Sequence, residues 1–166
     1  MDITNISVNY TESISFQRAK VSSFHSTKFF IFVAVKKEDY MNGTPLRYPG
    51  GKSIMTPFFI DLIKVNGMHG VHYAEAYAGG AGTAINLLLG GHVDKILIND
   101  ANICIYSFWK YLVEENERFV NAVMDISVDL SNWHYYHDFL KSANNPSFEL
   151  GFATFFLSRT NRSGIL

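Results

Sequence analysis

One stretch of the chain restricts its fold more than any other. An apolar run, Val71-His72-Tyr73, leads through Glu75 into Gly79-Gly80-Ala81-Gly82 and continues as Thr83-Ala84-Ile85-Asn86-Leu87-Leu88-Leu89. The first part reads as a short strand and the last as a helix. Three glycines among four residues separate them. Glycine lets a backbone turn sharply and approach a ligand closely, and the helix that follows offers unpaired N–H groups at its start. Strand, glycine turn and helix in this order predict a nucleotide-type site in an α/β fold.

A second element fits the first. Lys95-Ile96-Leu97-Ile98 is a compact strand pattern that ends in Asn99-Asp100. In doubly wound sheets an acid roughly 20 residues past the glycine turn accepts from ribose hydroxyls. Asp100 lies 18 residues beyond Gly82. The dinucleotide fingerprint needs a further glycine three residues after Gly82, where this chain has Ile85. That argues against a dinucleotide. Glu75, at the strand end, repels a pyrophosphate but suits a nucleoside with a cationic amino-acid tail. S-adenosylmethionine has that chemistry.

The third element is Leu46-Arg47-Tyr48-Pro49-Gly50-Gly51-Lys52. Gly51-Lys52-Ser53 matches the tail of a phosphate-binding loop, but Leu46 stands where that motif begins with glycine, and no strand runs directly into the loop. A phosphate loop is therefore excluded.

Periodicity predicts the remaining elements. A helix opens at Pro57, carries Phe58, Ile60, Leu62 and Ile63, and stops near Asn66-Gly67. The strand over 71–75, helix over 82–89 and strand over 95–99 make a βαβ unit. A helix over 101–112 places Ile105, Phe108, Trp109 and Leu112 on one face. Further helices are expected over 115–126, 131–142 and 148–158, the last two separated by a turn at Asn144-Asn145-Pro146. Phe29–Val35 reads as an edge strand or hairpin.

LRYPGGK, YAEAYAGGAGTAINLL, ILINDANICIYSFWK and FFLSRTNRSGI, taken together in this order, resemble the Dam-type (D12 class) adenine-N6-specific DNA methyltransferases. The resemblance covers residues 45–166. It implies a partial Rossmann-like methyltransferase core over 45–112 and the helical start of a DNA-recognition region over 113–166. Residues 1–44 form an extension or a mis-assigned start. The resemblance also implies S-adenosylmethionine as donor and adenine in double-stranded DNA as acceptor. By position it assigns Tyr48, Lys52, Glu75, Tyr77, Gly79, Gly80, Gly82 and Asp100 to the cofactor. Ala76-Tyr77 stands where the family usually has Pro-Phe. Arg159, Asn161 and Arg162 are assigned to DNA.

One departure matters for activity. The family carries Asp-Pro-Pro-Tyr after the segment resembling Arg159–Gly164. Its carboxylate and a backbone carbonyl accept hydrogens from the adenine amino group, whose lone pair is otherwise delocalised, while its ring stacks on the extruded base. The tetrapeptide does not occur in these 166 residues. Asn145-Pro146-Ser147-Phe148 lacks the second proline, lacks a preceding strand and comes too early. No catalytic residue is therefore assigned. The expectation is a fragment inactive by itself, completed by a C-terminal complementing segment. The alternative is a degenerate donor-binding or partner-binding module from a split gene.

Each assigned residue has a plainer reading. Lys52 can be a solvated lysine, Tyr48 a core aromatic, Glu75 a surface acid and Asp100 a helix cap. Arg159 and Arg162 can be solvated. The net charge of −1 gives no support for strong DNA binding by this segment alone. His134 and His137 lack partners at metal-ligand spacing and read as part of an aromatic helix face with Trp133 and Tyr136, so no metal is expected. A single cysteine, Cys104, fits a reducing, cytoplasmic setting and a small core residue. The longest apolar run near the N-terminus is too short to cross a membrane.

Overall fold

A computed structural model of the chain describes residues 6–9 and 43–166; the Phe29–Val35 run lies outside them. The elements are strand β1 (Ile6–Asn9), helix α1 (Thr56–Val65), strand β2 (His72–Glu75), helix α2 (Gly82–Leu89), strand β3 (Lys95–Ile98) and helices α3 (Ile103–Glu114), α4 (Asn116–Asp125), α5 (Leu130–Ser142) and α6 (Phe148–Thr160). Short 3-10 turns cover Lys52–Met55 and Arg162–Gly164. The result is a helix-rich α/β arrangement around a small sheet.

β2 and β3 pair in parallel, Tyr73 opposite Ile96 and Glu75 opposite Ile98. Two backbone bonds extend this register past the strands: Asn99 N–H donates to the Glu75 carbonyl and Ala78 N–H to the Asn99 carbonyl. The glycine turn therefore starts from a backbone already locked to the second strand. On the other edge of β3, Ile6–Asn9 pairs antiparallel, with Ile6 opposite Ile98. This strand falls in the N-terminal segment that the family resemblance does not cover. It satisfies an edge of β3 that a two-stranded parallel pair leaves open.

The helix bounds follow from local chemistry. Pro57 sits in the first turn of α1, where its missing N–H removes no bond. Gly90 caps α2 and Gly91, at φ +66°, reverses the chain. The Asp129 and Ser147 side chains accept from Asn132 and Leu150 N–H, capping α5 and α6. α3 begins at Ile103 rather than 101, because the Asn102 side chain accepts from Cys104 N–H and takes the cap. Asp100 instead accepts from Asn102 N–H.

One apolar cluster runs from Leu46 and α2 through α3 to Phe148, Phe152 and Phe156 of α6. Its centre is Phe108, fully buried, with ring centroids 4.7 Å from Trp109, 5.8 Å from Phe119 and 6.0 Å from Phe155. α3 and α6 share the most extensive helix–helix interface. Gly151 makes their crossing close: a Cβ there would lie 2.6 Å from the Ser107 carbonyl oxygen. Burial pushes the Cys104 thiol above its ordinary pKa, as fits a half-buried packing residue. Among the described residues no helix is long and apolar enough to cross a membrane, and no three metal-ligating side chains converge.

Candidate functional site

The carboxyl ends of β2 and β3 carry Glu75 and Asp100, and the glycine turn runs between them. Glu75 is only 6% exposed. A buried carboxylate needs partners. Its Oε1 accepts from Ala84 N–H at 3.1 Å, in the first turn of α2. No side chain of α2's own caps that end, because the cap position is Ala81 in the left-handed region, at φ 49°. Glu75 thus caps the helix from the neighbouring strand and sets a negative charge against the positive end of its dipole. Lys52 Nζ lies 3.2 Å from Glu75 Oε2 and donates to the Tyr77 carbonyl. The contact with Oε2 is ionic without a hydrogen bond, so this buried oxygen has no hydrogen-bond donor. Lys52 is 45% exposed, and water screens the pair. Tyr73, two residues back on the same strand, feels the same carboxylate. Burial, and after it the Glu75 charge, push its phenol far above the ordinary tyrosine range.

Lys52 itself is anchored by its backbone, whose carbonyl accepts from the Thr83 hydroxyl of α2. The loop before Lys52 packs onto the glycine turn. A Cβ on Gly79, which sits at φ +51°, would meet the Tyr48 ring at 2.8 Å. A Cβ on Gly82 would lie 1.9 Å from Ser53 Oγ. These two glycines are required by close approach, and at Gly79 also by backbone conformation. Tyr48 is partly exposed, its ring against Gly79 rather than in the core.

Asp100 grips the turn from the other side. Its Oδ2 accepts from Gly79 N–H at 2.8 Å, and its Oδ1 from Asn102 N–H at 2.9 Å. Each oxygen keeps a free lone pair. Tyr77 differs from its neighbours: the ring is 73% exposed, and only its carbonyl takes part in the cluster. Gly80 is buried beneath Tyr48 and Leu46.

The C-terminal segment packs against the loop that precedes Lys52. Ser163 and Gly164 both have positive φ, and a Cβ on Gly164 would lie 2.5 Å from the Arg47 carbonyl oxygen. A cleft of about 240 Å³ opens there, lined by Tyr48, Pro49, Asn102, Gly164, Ile165 and Leu166. Asn161 has its side chain engaged at both ends: Oδ1 accepts from Trp133 Nε1 at 2.7 Å, and Nδ2 donates to the Ile165 carbonyl at 2.6 Å. Arg159 and Arg162 are exposed on either side of it. His137 stacks on Trp133 at 4.6 Å, within the aromatic face read from the sequence.

Sequence reasoning missed two participants. Ala84 contributes through its backbone N–H, which no pattern marks. Trp109, read as a packing residue of α3, donates its indole N–H to the Gly79 carbonyl at 2.8 Å. An indole nitrogen on an otherwise apolar helix face was the signal, since a buried tryptophan N–H seeks an acceptor.

A family model of the D12 class N6 adenine-specific DNA methyltransferases matches residues 48–162, a span that includes Tyr48 to Lys52, the glycine turn and Asp100. No curated protein and no solved structure matches the chain. With its family match covering well over half its length, the chain belongs to the D12 class N6 adenine-specific DNA methyltransferase family.

Proposed function

We propose that residues 45–166 form the donor-binding part of a DNA adenine-N6 methyltransferase: a partial Rossmann-like core that takes S-adenosylmethionine, followed by the helical start of a DNA-recognition region. The observation that carries this reading is the convergence of Lys52, Glu75, Gly79 and Asp100 at the carboxyl ends of the two parallel strands. Open α/β sheets bind their ligands there.

The residues present fit that donor. Glu75 Oε2 already faces one ammonium, that of Lys52, without a hydrogen bond, and a ligand ammonium would share this carboxylate. Asp100 has acceptor capacity to spare for ribose hydroxyls. Lys52, partly exposed, is within reach of a carboxylate, and Tyr48 gives the adjoining cleft an aromatic wall. When bound, S-adenosylmethionine supplies an electrophilic methyl group. The chain's own contribution is to hold the amino-acid tail and the ribose in a fixed relation. Arg159 and Arg162 are proposed phosphate contacts, and Asn161 holds the turn that carries Arg162.

Transfer requires a group that accepts the adenine amino hydrogens. Asp-Pro-Pro-Tyr, which supplies it in this family, is absent from residues 1–166. In our reading these residues bind the donor, and the tetrapeptide comes from residues outside them, in the same polypeptide or in a complementing chain. Calorimetry of the 166-residue chain with S-adenosylhomocysteine is expected to give a Kd near micromolar, about −8 kcal/mol. Tritiated donor and adenine-containing duplex DNA are expected to give no incorporation. No binding up to millimolar ligand overturns the donor site. Clear labelling of adenine overturns the division of labour.

A further inference from the structure

The glycine turn is held by more than its own sequence. The Gly79 N–H donates to Asp100 Oδ2 at 2.8 Å, and the Gly79 carbonyl accepts from Trp109 Nε1 at 2.8 Å. Both acceptor and donor belong to the β3–α3 unit, Asp100 just before the helix and Trp109 in its second turn. Trp109 is 30 residues from Gly79 and 3% exposed, while Gly79 itself is buried. The two peptide groups flanking the Gly79 Cα are thus fixed together at a positive φ of 51°. Peptide orientation there decides where the next N–H groups, those opening α2, point.

We infer that Trp109 is a positioning residue for the donor turn: its indole N–H fixes the orientation of the Gly79 carbonyl and so presents the turn and the Asp100 carboxylate in binding geometry. The inference rests on the donor-site reading above. A buried carbonyl deprived of its donor is driven to rotate toward water, because an unsatisfied buried acceptor is unfavourable. Rotation of the Gly79–Gly80 peptide turns the following backbone with it. Trp109 touches the turn and not the ligand, so its effect is on affinity through geometry.

Trp109→Phe keeps an aromatic ring and removes the donor. In the 166-residue chain it is expected to weaken S-adenosylhomocysteine binding roughly tenfold, the equivalent of one hydrogen bond. Phe148→Leu serves as the comparison, since Phe148 packs among Tyr111, Phe119 and Phe152 away from the turn. It is expected to lower the melting temperature and to leave affinity within about twofold, since distant sites act independently. A second readout does not depend on folding of any variant. The chain has two tryptophans, so a nitrogen-15 spectrum carries two indole N–H resonances. The Trp109 resonance is expected to shift as ligand is added and the Trp133 resonance to stay. If the unsubstituted chain binds the ligand while the Trp109 resonance is static, or if Phe148→Leu weakens binding as much as Trp109→Phe, the inference is overturned alone. If the unsubstituted chain binds no ligand, the donor-site reading falls and takes this inference with it.

Discussion

Gly79→Ala is expected to reduce S-adenosylhomocysteine affinity on the order of a hundredfold while leaving a folded chain. Two effects add. The residue sits at φ +51°, where an L side chain costs about 1–2 kcal/mol. The new methyl would also lie 2.8 Å from two carbons of the Tyr48 ring, so this partly exposed ring, a proposed wall of the donor site, has to move aside. Without ligand the chain escapes much of this strain. The turn is short, and it can release its bonds to Asp100 and Trp109 and take another shape. Binding then has to restore the native turn, so the strain reappears as lost affinity. Each 1.4 kcal/mol is a factor of ten, which gives roughly the effect stated. Calorimetry of the variant beside the parent chain measures it. An affinity within threefold of the parent would show that Gly79 is not part of the binding surface.

The second large effect is on stability. Phe108→Ala is expected to lose about 3–5 kcal/mol, the range for deleting a fully buried phenylalanine. Phe108 has no exposed surface and joins α3 to Phe119 of α4 and Phe155 of α6. The gap cannot collapse easily, because Gly151 already brings α6 against the α3 backbone. For a chain of this size the melting temperature should fall by roughly 10 °C or more. Thermal unfolding followed by circular dichroism tests this. A fall of only a degree or two would mean that α3 and α6 do not pack around this ring.

Much of this molecule was legible in its sequence, and the legible part is local. The spacing of Ile105, Phe108, Trp109 and Leu112 marked the buried face of α3, and all four are buried. Pro57, Asn66-Gly67 and the Asn144-Asn145-Pro146 turn marked helix ends because capping and turn chemistry act within one turn. The glycines at 79–82 marked the turn because φ and close approach exclude other residues. The parallel pairing of β2 with β3 followed from a helix between two short strands.

What the sequence left hidden depends on contacts across many residues. Lys52 reaches Glu75 and the Tyr77 carbonyl; Trp109 reaches Gly79; Gly164 packs on Arg47. Each pair is joined by packing of whole elements, and no periodicity encodes it. The pairing of Ile6–Asn9 with β3 is of the same kind. The cap of α3 was a smaller ambiguity. Asp100 and Asn102 both suit that role, and the side chain of Asp100 is drawn to the Gly79 N–H, leaving Asn102 to cap.

In the proposed donor site, the 48–52 loop, the Glu75–Gly82 segment and Asp100 surround a single sulfonium-bearing nucleoside. Ultraviolet cross-linking of the 166-residue chain with S-adenosyl-[methyl-³H]methionine, followed by peptide mapping, tests it directly. Label is expected in peptides spanning 48–52, 75–82 or 99–102, displaced by excess S-adenosylhomocysteine. Label confined to the helices after residue 113 would contradict this arrangement.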